Sequence, residues 1–207
     1  MGDPAIILHG TELSGHVHRV ELLLRMLDLP FTYVQAPAEV RRSDEFLRLN
    51  PLSQIPVLQD GDLVLADSNA ILVYLVKRYA PGSAWLPEEA AAAARVQRWL
   101  SIAAGELRHG PATARAARQW QMQGDLGFAV KLAARVLNFM ELHLADCSFL
   151  AADHATIADL ACYSYVAHAP EGGISLAPYP AVRAWLERVE ALPRFVPMPS
   201  LPVLEPA

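Results

Sequence analysis

The sequence predicts an α/β domain followed by an all-α domain, and three observations predict it. In the first 80 residues, short apolar runs alternate with stretches of helical apolar spacing, in the order β-α-β-α-β-β-α. Residues 81–87 are rich in proline and glycine, which is typical of a linker. Beyond them the apolar residues recur at helical spacing. We therefore predict an α/β domain over 1–80, a linker over 81–87 and a helical domain over 88–207 with an extended proline-rich tail.

The N-terminal domain opens with a strand, a helix and a second strand. The apolar run at residues 5–8 is typical of a short buried strand, and from Val17 the apolar positions change to helical spacing. Leu29-Pro30 ends this helix, and residues 31–34 have the composition of a second strand. Because a helix crosses over between the two strands, we expect a parallel pair with a right-handed connection.

The rest of this domain is predicted as a short helix, a hairpin and a final helix. The short helix covers residues 43–49, and a strand with a proline near its start covers 54–59. Asp60-Gly61 indicates a tight turn into a partner strand over 63–65. Asp67-Ser68 then opens the last helix of the domain.

The helical domain is predicted to begin with a long, interrupted helix. This helix runs from Glu88 to about His109, where we expect Gly110-Pro111 to kink or break it before it resumes toward Trp120. Another helix follows over about residues 126–144.

Two further helices complete the prediction. The segment 156–159 (TIAD) resembles a capping box with Asp in place of the usual Glu or Gln, and opens a buried helix that runs to about Val166. The last amphipathic helix carries Val182, Trp185, Leu186 and Val189. The tail that follows it from Pro193 holds five prolines, which favours an extended strip.

Composition excludes several classes of partner. A net charge of -5 argues against nucleic acid, because phosphate contacts need clustered Lys and Arg. The longest apolar stretches are interrupted by Arg95, Arg98 and Asp159, so they fall short of the roughly 20 apolar residues that span a membrane. Residues 1–20 lack the pattern of a secretory signal. We therefore expect a cytoplasmic protein without a membrane or nucleic-acid partner.

Cysteine and histidine spacing predicts no metal site. Cys147 and Cys162 are too few and too far apart for a redox motif or a zinc site, and we expect both to be small buried residues. His16 and His18 lie two positions apart near a helix start, which directs them to different faces of the helix.

Ser14, where the first strand gives way to the first helix, allows two interpretations. Serine is favoured as a helix N-cap, because its oxygen satisfies an unpaired backbone N–H. The same hydroxyl, at the positive end of the helix dipole, could stabilise an anion carried by a ligand. The segment alone leaves both interpretations open.

Over essentially its whole length the chain resembles the glutathione S-transferase family. The resemblance implies a thioredoxin-like N-terminal domain, a helical C-terminal domain and a cytosolic homodimer that binds reduced glutathione as co-substrate, without a metal. The spacing from Ser14 to Arg19 is most similar to the serine-type bacterial, zeta-like and theta-like branches. The motifs that carry the resemblance are these two residues and the segments FLRLNP at 46–51, IPVL at 55–58, DSNAI at 67–71 and TIAD at 156–159.

The resemblance implies that Ser14 stabilises the glutathione thiolate. Lowering a thiol pKa from about 8.5 to about 6.5 requires roughly 2.7 kcal/mol of preference for the anion. A helix N-terminus supplies about 0.3 to 2 kcal/mol and a charge-assisted hydrogen bond about 1.5 to 3 kcal/mol. Neither is comfortably sufficient alone, but the Ser14 hydroxyl and the backbone N–H groups near Gly15 and His16 can supply both. Gly15 would also permit close approach of the chain to the ligand.

The resemblance assigns a backbone role to Ile55 and Pro56. It implies a cis peptide bond between them, which turns the Ile55 backbone toward the cysteinyl part of glutathione, to pair with it like an added strand. The alternative is an ordinary edge-strand proline.

Other residues are implied to hold the two carboxylates of glutathione. Ser68, at a helix N-terminus, would bind the γ-glutamyl carboxylate, with Asp67 orienting it or facing its ammonium group. Relatives commonly carry Glu or Gln where Asp67 stands, and both residues also suit simple helix caps. Arg42 and Gln54 are the main candidates to bind the glycyl carboxylate, and Arg41 is a weaker one. Arg42 suits a solvated surface charge equally well.

The electrophile pocket is expected between the domains, beside Leu13. Its other side would be the interrupted helix, where His109 or Arg115 could face a polar or anionic electrophile. A helix face that pairs with a partner subunit is an equally good interpretation of those two residues.

The resulting prediction is a glutathione transferase that adds the thiol of glutathione to a small electrophile, a detoxification chemistry. Two alternatives stay open: a glutathione-dependent disulfide or peroxide reductase that needs no cysteine of its own, and a non-catalytic binding or regulatory module of the same fold. The sequence does not identify the electrophile.

Overall fold

The N-terminal domain is a four-stranded sheet with helices packed against it. The computed structural model describes residues 6–203. In that part of the chain the strand order is β2-β1-β3-β4, with β1 parallel to β2 and antiparallel to β3, and β3 antiparallel to β4. The elements are β1 (Ile6–Gly10), α1 (Gly15–Met26), β2 (Phe31–Gln35), α2 (Ala38–Arg41), α3 (Asp44–Leu49), β3 (Val57–Asp60), β4 (Leu63–Ala66) and α4 (Ser68–Tyr79).

The predicted element order and the parallel β1–β2 pair are confirmed, with two differences. The structure adds α2, a four-residue helix without a buried residue, which leaves no apolar periodicity to detect. The third strand begins at Val57, so its predicted start at residue 54 is wrong: the Gln54 carbonyl accepts a hydrogen bond from the Asn50 side chain at 2.9 Å and lies in a loop. The predicted start of the first strand, Ala5, lies outside the described residues.

The C-terminal domain is built from helices. Residues 81–89 have no regular secondary structure and connect it to the sheet. Its elements are α5 (Ala90–Ile102), a π-helical segment (Ala103–Ala112), α6 (Thr113–Trp120), α7 (Leu126–Leu144), α8 (Ile157–Ala167), a 3₁₀ segment (Ala169–Gly172) and α9 (Pro180–Glu190).

Helical backbone continues through Gly110-Pro111, so a break at this point is not observed. The chain changes to π-helical geometry instead, which accommodates a residue that has no N–H and would clash with an α-helical carbonyl. Gly110 is needed for packing, since a Cβ atom there would lie 2.9 Å from the backbone nitrogen of Ala133 in α7. The predicted helix start at Glu88 is two residues early, because the Glu89 carboxylate caps α5.

Helix α8 is the centre of the helical domain, and its residues from Ile157 to Val166 are buried. Cys162 lies here, fully buried as predicted, whereas Cys147 is only half-buried; both thiols are free. The four apolar residues predicted to mark the core face of α9 are buried as well. Within residues 6–203 no helix has the length and apolar character needed to cross a membrane.

Asp159 ties three parts of this domain together. The predicted capping box is present: Asp159 Oδ2 accepts from the Thr156 amide at 2.8 Å, while Thr156 Oγ1 accepts from the Ala158 amide at 3.2 Å. Asp159 Oδ1 also accepts from the Leu150 amide at 2.9 Å and from Trp185 Nε1 at 3.0 Å. The buried carboxylate therefore joins α8 to the preceding loop and to α9.

We expect Asp159→Ala to lower the free energy of unfolding by about 2 to 4 kcal/mol, since it removes a helix cap and leaves buried N–H donors unpaired. Urea unfolding measures this change. Asp153→Ala is the control: its side chain is 96% exposed, and we expect a change within about 0.5 kcal/mol. An Asp159→Ala protein as stable as this control would contradict the structural role of Asp159.

Candidate functional site

The N-termini of α1 and α4 meet at the interface between the two domains. His16, in the first turn of α1, has its Nδ1 atom 3.5 Å from the Oγ atom of Ser68, the first residue of α4. Each helix N-terminus carries unpaired N–H groups and the positive end of a helix dipole. Two such ends side by side favour a bound anion.

Ser14 caps α1, but only weakly. Its Oγ atom accepts from the Val17 amide at 3.4 Å, and its own amide donates to the Thr11 carbonyl at 3.0 Å. Since Oγ acts as the acceptor in the cap, the hydroxyl proton is available to a ligand. The cap and the anion interpretations of Ser14 are therefore compatible.

Gly15 lies where α1 packs closely against α8. A Cβ atom at this position would lie 3.0 Å from Ser164 Cβ and from the Tyr165 ring. The close approach that this glycine permits within the structure is thus between two helices of different domains.

His16 lies between two cationic side chains. Its Nε2 atom is 3.5 Å from Arg108 Nη1, and its ring packs edge-on against Tyr165 with centroids 4.9 Å apart. Burial, followed by the charges of Arg19 and Arg108, holds the pKa of His16 well below its usual value of 6.5. The imidazole is therefore neutral near pH 7, and because an arginine only donates, Nε2 accepts and Nδ1 carries the proton.

His18 faces a different environment, as its spacing from His16 predicts. Its Nε2 atom is 2.8 Å from the Val196 carbonyl oxygen, and its Nδ1 atom is 2.9 Å from Ser164 Oγ. Burial lowers the pKa of His18. A neutral His18 therefore donates to the tail through Nε2 and accepts from Ser164 in α8.

At the start of α4, Asp67 and Ser68 have different environments. Asp67 is exposed, with φ of 74°, and its Oδ1 atom caps the helix by accepting from the Asn69 and Ala70 amides. Ser68 is buried, and its Oγ atom accepts from Arg19 Nη1 at 3.3 Å. With the His16 Nδ1–H as a second donor, the Ser68 hydroxyl proton remains free to donate to a carboxylate.

Arg19 is the main site residue that the sequence analysis did not select, although it was part of the Ser14 motif. Its side chain is buried, and Nη1 also donates to Asn69 Oδ1 at 3.0 Å. Its Nε and Nη2 atoms have no hydrogen-bond partner within the described chain. An arginine remains charged even where burial lowers its pKa, as it does here. A positive charge thus lies directly behind Ser68.

The candidates for the cysteinyl and glycyl parts of glutathione lie before β3. Arg42 follows α2, while Gln54, Ile55 and Pro56 lie in the loop that leads into β3. Ile55 is half-buried, Pro56 is buried, and the peptide bond between them is cis as expected. Gln54 and Arg42 are exposed, and neither side chain forms a hydrogen bond within residues 6–203. Both side chains are therefore available to a ligand, and within the described residues neither is hydrogen-bonded to Ser14 or Ser68.

The three candidates for the electrophile pocket differ in their exposure to solvent. His109 is exposed on the π-helical segment, and Leu13 is half-buried. Arg115 is only 2% exposed, and its Nη1 atom donates to the Leu13 carbonyl at 2.8 Å. Its Nε atom pairs with Glu171 Oε2 at 2.5 Å. No motif in the sequence indicates Glu171 as a site residue.

Glu171 is held by several donors besides Arg115. His168 Nδ1 lies 2.6 Å from Oε1, and the Leu201 amide donates to the same oxygen at 2.9 Å. Burial raises the pKa of Glu171, but the hydrogen bonds from His168 and Leu201 and the Arg115 ion pair outweigh it, so the net pKa is lowered. Glu171 is therefore ionised at neutral pH.

Two family models match the chain. The glutathione S-transferase N-terminal domain matches residues 8–84, and the glutathione S-transferase C-terminal domain matches residues 129–193. The chain belongs to the glutathione S-transferase family. The family and the two-domain fold that the sequence predicts are thereby confirmed.

Curated relatives and solved structures agree with this assignment. Glutathione S-transferase 3 of Zea mays is 33% identical, with 94% of this chain and 96% of that protein covered. A glutathione S-transferase structure from Xanthobacter autotrophicus is 33% identical, with a TM-score of 0.86 over 94% of this chain and 97% of that one. A theta class enzyme from Xanthomonas axonopodis with glutathione bound is 25% identical, with a TM-score of 0.83 over 92% and 95%.

No group of three or more His, Cys, Asp or Glu side chains within residues 6–203 could hold a metal ion. The groups present at the two helix ends are hydroxyls, backbone amides and the buried Arg19 guanidinium, which are suited to bind an anion.

We expect the stability contributed by Glu171 to disappear in acid. A lowered carboxyl pKa stabilises the folded state above the unfolded-state pKa of about 4.5, and this contribution is lost as the pH falls through the folded-state value. Wild type should therefore exceed Glu171→Gln in free energy of unfolding at pH 7, and the difference should shrink below about pH 4.5.

Urea unfolding of both proteins between pH 3 and pH 7 checks this expectation. Glu187→Gln serves as control, because Glu187 is exposed and lies in α9 away from the helix N-terminus. A difference for Glu171→Gln that is independent of pH would contradict the ionised, paired state of this carboxylate.

Proposed function

We propose that this chain is a glutathione transferase that binds reduced glutathione at the N-termini of α1 and α4, stabilises its thiolate through Ser14 and transfers it to a small electrophile. The observation that carries the proposal is the meeting of two helix N-termini in front of the buried Arg19 charge. Family membership supports the class of reaction.

The γ-glutamyl end of glutathione is assigned to the start of α4. Its carboxylate accepts from the Ser68 hydroxyl, whose proton is not used by Arg19 or His16, and from the backbone N–H groups of the helix end. Asp67 is exposed at the same end and is assigned to the ammonium group. The positive charge of Arg19 behind Ser68 adds to the attraction for the carboxylate.

The rest of the tripeptide is assigned to the loop that leads into β3. The backbone of Ile55 pairs with the cysteinyl residue, while Arg42 or Gln54 meets the glycyl carboxylate. The sulfur then lies at the start of α1, near the Ser14 hydroxyl and the amides of Gly15 and His16. There the helix end and one charge-assisted hydrogen bond together supply the roughly 2.7 kcal/mol needed to lower the thiol pKa to about 6.5.

The electrophile enters between the domains, beside Leu13 and His109. We place the enzyme in the cytoplasm as a homodimer, where it detoxifies electrophiles by conjugation.

Calorimetry with reduced glutathione, followed by steady-state assays, tests this function. We expect binding at millimolar or lower glutathione and turnover of a halonitrobenzene. Faster turnover of hydroxyethyl disulfide would favour a glutathione-dependent reductase instead. The absence of binding at millimolar glutathione would overturn the proposal in favour of a non-catalytic module.

We expect Ser14→Ala to raise the pKa of the bound thiol and to slow thiol addition, with glutathione binding largely intact. The reason is that only the hydroxyl that stabilises the anion is lost, while the Ser68 site is untouched. A loss of about 1.5 to 3 kcal/mol corresponds to a rate lower by about 10- to 150-fold. Ultraviolet titration of the bound thiolate and kcat measure the two effects.

Glu89→Ala is the matched control, because it removes a side-chain helix cap at the start of α5. Its thiol pKa and rate should equal those of wild type. An unchanged thiolate titration in Ser14→Ala would refute the role of Ser14.

A further inference from the structure

A buried ion pair of the helical domain reaches the turn that carries Ser14. Arg115 in α6 and Glu171 in the 3₁₀ segment have side chains that are 3% and 4% exposed, and they pair at 2.5 Å. The same guanidinium donates from Nη1 to the Leu13 carbonyl at 2.8 Å, in the other domain. One side chain therefore joins the carboxylate to the turn.

The carboxylate side of this connection is rigid. Glu171 is bonded to His168 and to the Leu201 amide as well as to Arg115. A Cβ atom on the neighbouring Gly172 would lie 2.7 Å from the Arg115 backbone nitrogen, so the two backbones are in direct contact. Arg115 is thus fixed along its backbone and at its Nε atom.

The backbone of the turn is held on both sides of Ser14, but the Ser14 side chain is held only weakly. The Ser14 amide donates to the Thr11 carbonyl at 3.0 Å, and the Ser14 carbonyl accepts from the Val17 and His18 amides at 3.0 and 2.9 Å, whereas the side-chain cap of α1 is long at 3.4 Å. The Leu13 carbonyl and the Ser14 amide belong to one planar peptide group, so a donor that holds the carbonyl also holds the plane that precedes Ser14. Arg115 supplies that donor.

We propose that Arg115 is a positioning residue for glutathione transfer: by holding the Leu13 carbonyl it fixes the Ser14 hydroxyl at the thiol, and Glu171 in turn fixes Arg115. This inference rests on the proposed function of Ser14. It replaces the expectation that Arg115 contacts the electrophile, since its Nε and Nη1 atoms are already engaged and the side chain is buried.

The stability of the folded state does not by itself explain the Arg115–Glu171 ion pair. A buried Arg–Glu pair can often be replaced by apolar residues of similar volume without loss of stability, whereas removal of one partner is strongly destabilising. An apolar pair, however, has no donor for the Leu13 carbonyl. The stability of the fold and the position of the turn can therefore be separated by experiment.

The experiment compares wild type with the double variant Arg115→Met/Glu171→Met. We expect a protein that is folded at the assay temperature but less stable than wild type, because His168 and the Leu201 amide lose their acceptor. Its kcat should be lower by about 10- to 100-fold, and the pKa of the bound glutathione thiol should be raised. The glutathione KM should change less than threefold, because Ser68 and Arg19 are untouched. If the Met pair does not fold, the neutral pair Arg115→Gln/Glu171→Gln replaces it with the same expectations, because glutamine is too short to reach Leu13.

Gln119→Met is the matched control for effects of the tail. Gln119 donates to the Glu171 and Pro202 carbonyls, so its loss removes one contact of the tail without removing the Arg115–Leu13 contact. We expect its kcat to stay within twofold of wild type.

The outcomes separate this proposal from the proposed function. If wild type neither binds glutathione nor lowers its thiol pKa, the proposed function fails and this inference fails with it. If wild type is active and a folded double variant keeps its kcat and thiol pKa within twofold, the positioning role of Arg115 is overturned while the function of the enzyme stands.

Discussion

Helix α1 carries two polar side chains, His18 and Arg19, into the interface between the domains, and both must find partners there. An unpaired buried polar group costs several kcal/mol, and a buried charge costs more. His18 bonds to α8 and to the tail, while Arg19 bonds to Ser68 and Asn69 at the start of α4. These bonds fix where α4 begins relative to α1.

The hydrogen bonds that fix the start of α4 continue into the helical domain. The Asn69 side chain accepts from Arg19 and donates to the Leu100 carbonyl of α5 at 2.9 Å. The His16 ring of α1 packs edge-on against the Tyr165 ring of α8. The position of the two helix N-termini is therefore a property of both domains. The proposed anion site of the N-terminal domain therefore depends on helices of the C-terminal domain.

Sequence patterns within a few residues were sufficient to predict most of the helices and strands. Helix α7 covers residues 126–144 as its apolar spacing predicts, and the capping box at Thr156 is recognisable from four residues. The cap role of Ser14 could likewise be predicted, because it depends on residues three positions apart. Helix α2 was missed for the opposite reason, since a short exposed helix has no buried face to mark it.

The long-range part of the site could not be predicted in this way. Arg115 and Glu171 are separated by 56 positions, and Arg115 and Leu13 by 102. An arginine in an amphipathic helix looks like a surface charge until packing buries it, and Glu171 lies in a segment rich in glycine and proline that resembles a loop. Their partners are chosen by the packing of the 3₁₀ segment against α6, which no sequence periodicity describes.

A crystal structure of the wild-type protein with reduced glutathione tests the central claim most directly. The measurement is the position of the sulfur relative to Ser14 Oγ and of the γ-glutamyl carboxylate relative to Ser68 Oγ. We predict one glutathione per cleft, with both pairs of atoms within hydrogen-bond distance. A sulfur atom away from Ser14, or two glutathione molecules in one cleft, would contradict thiol transfer activated by this hydroxyl.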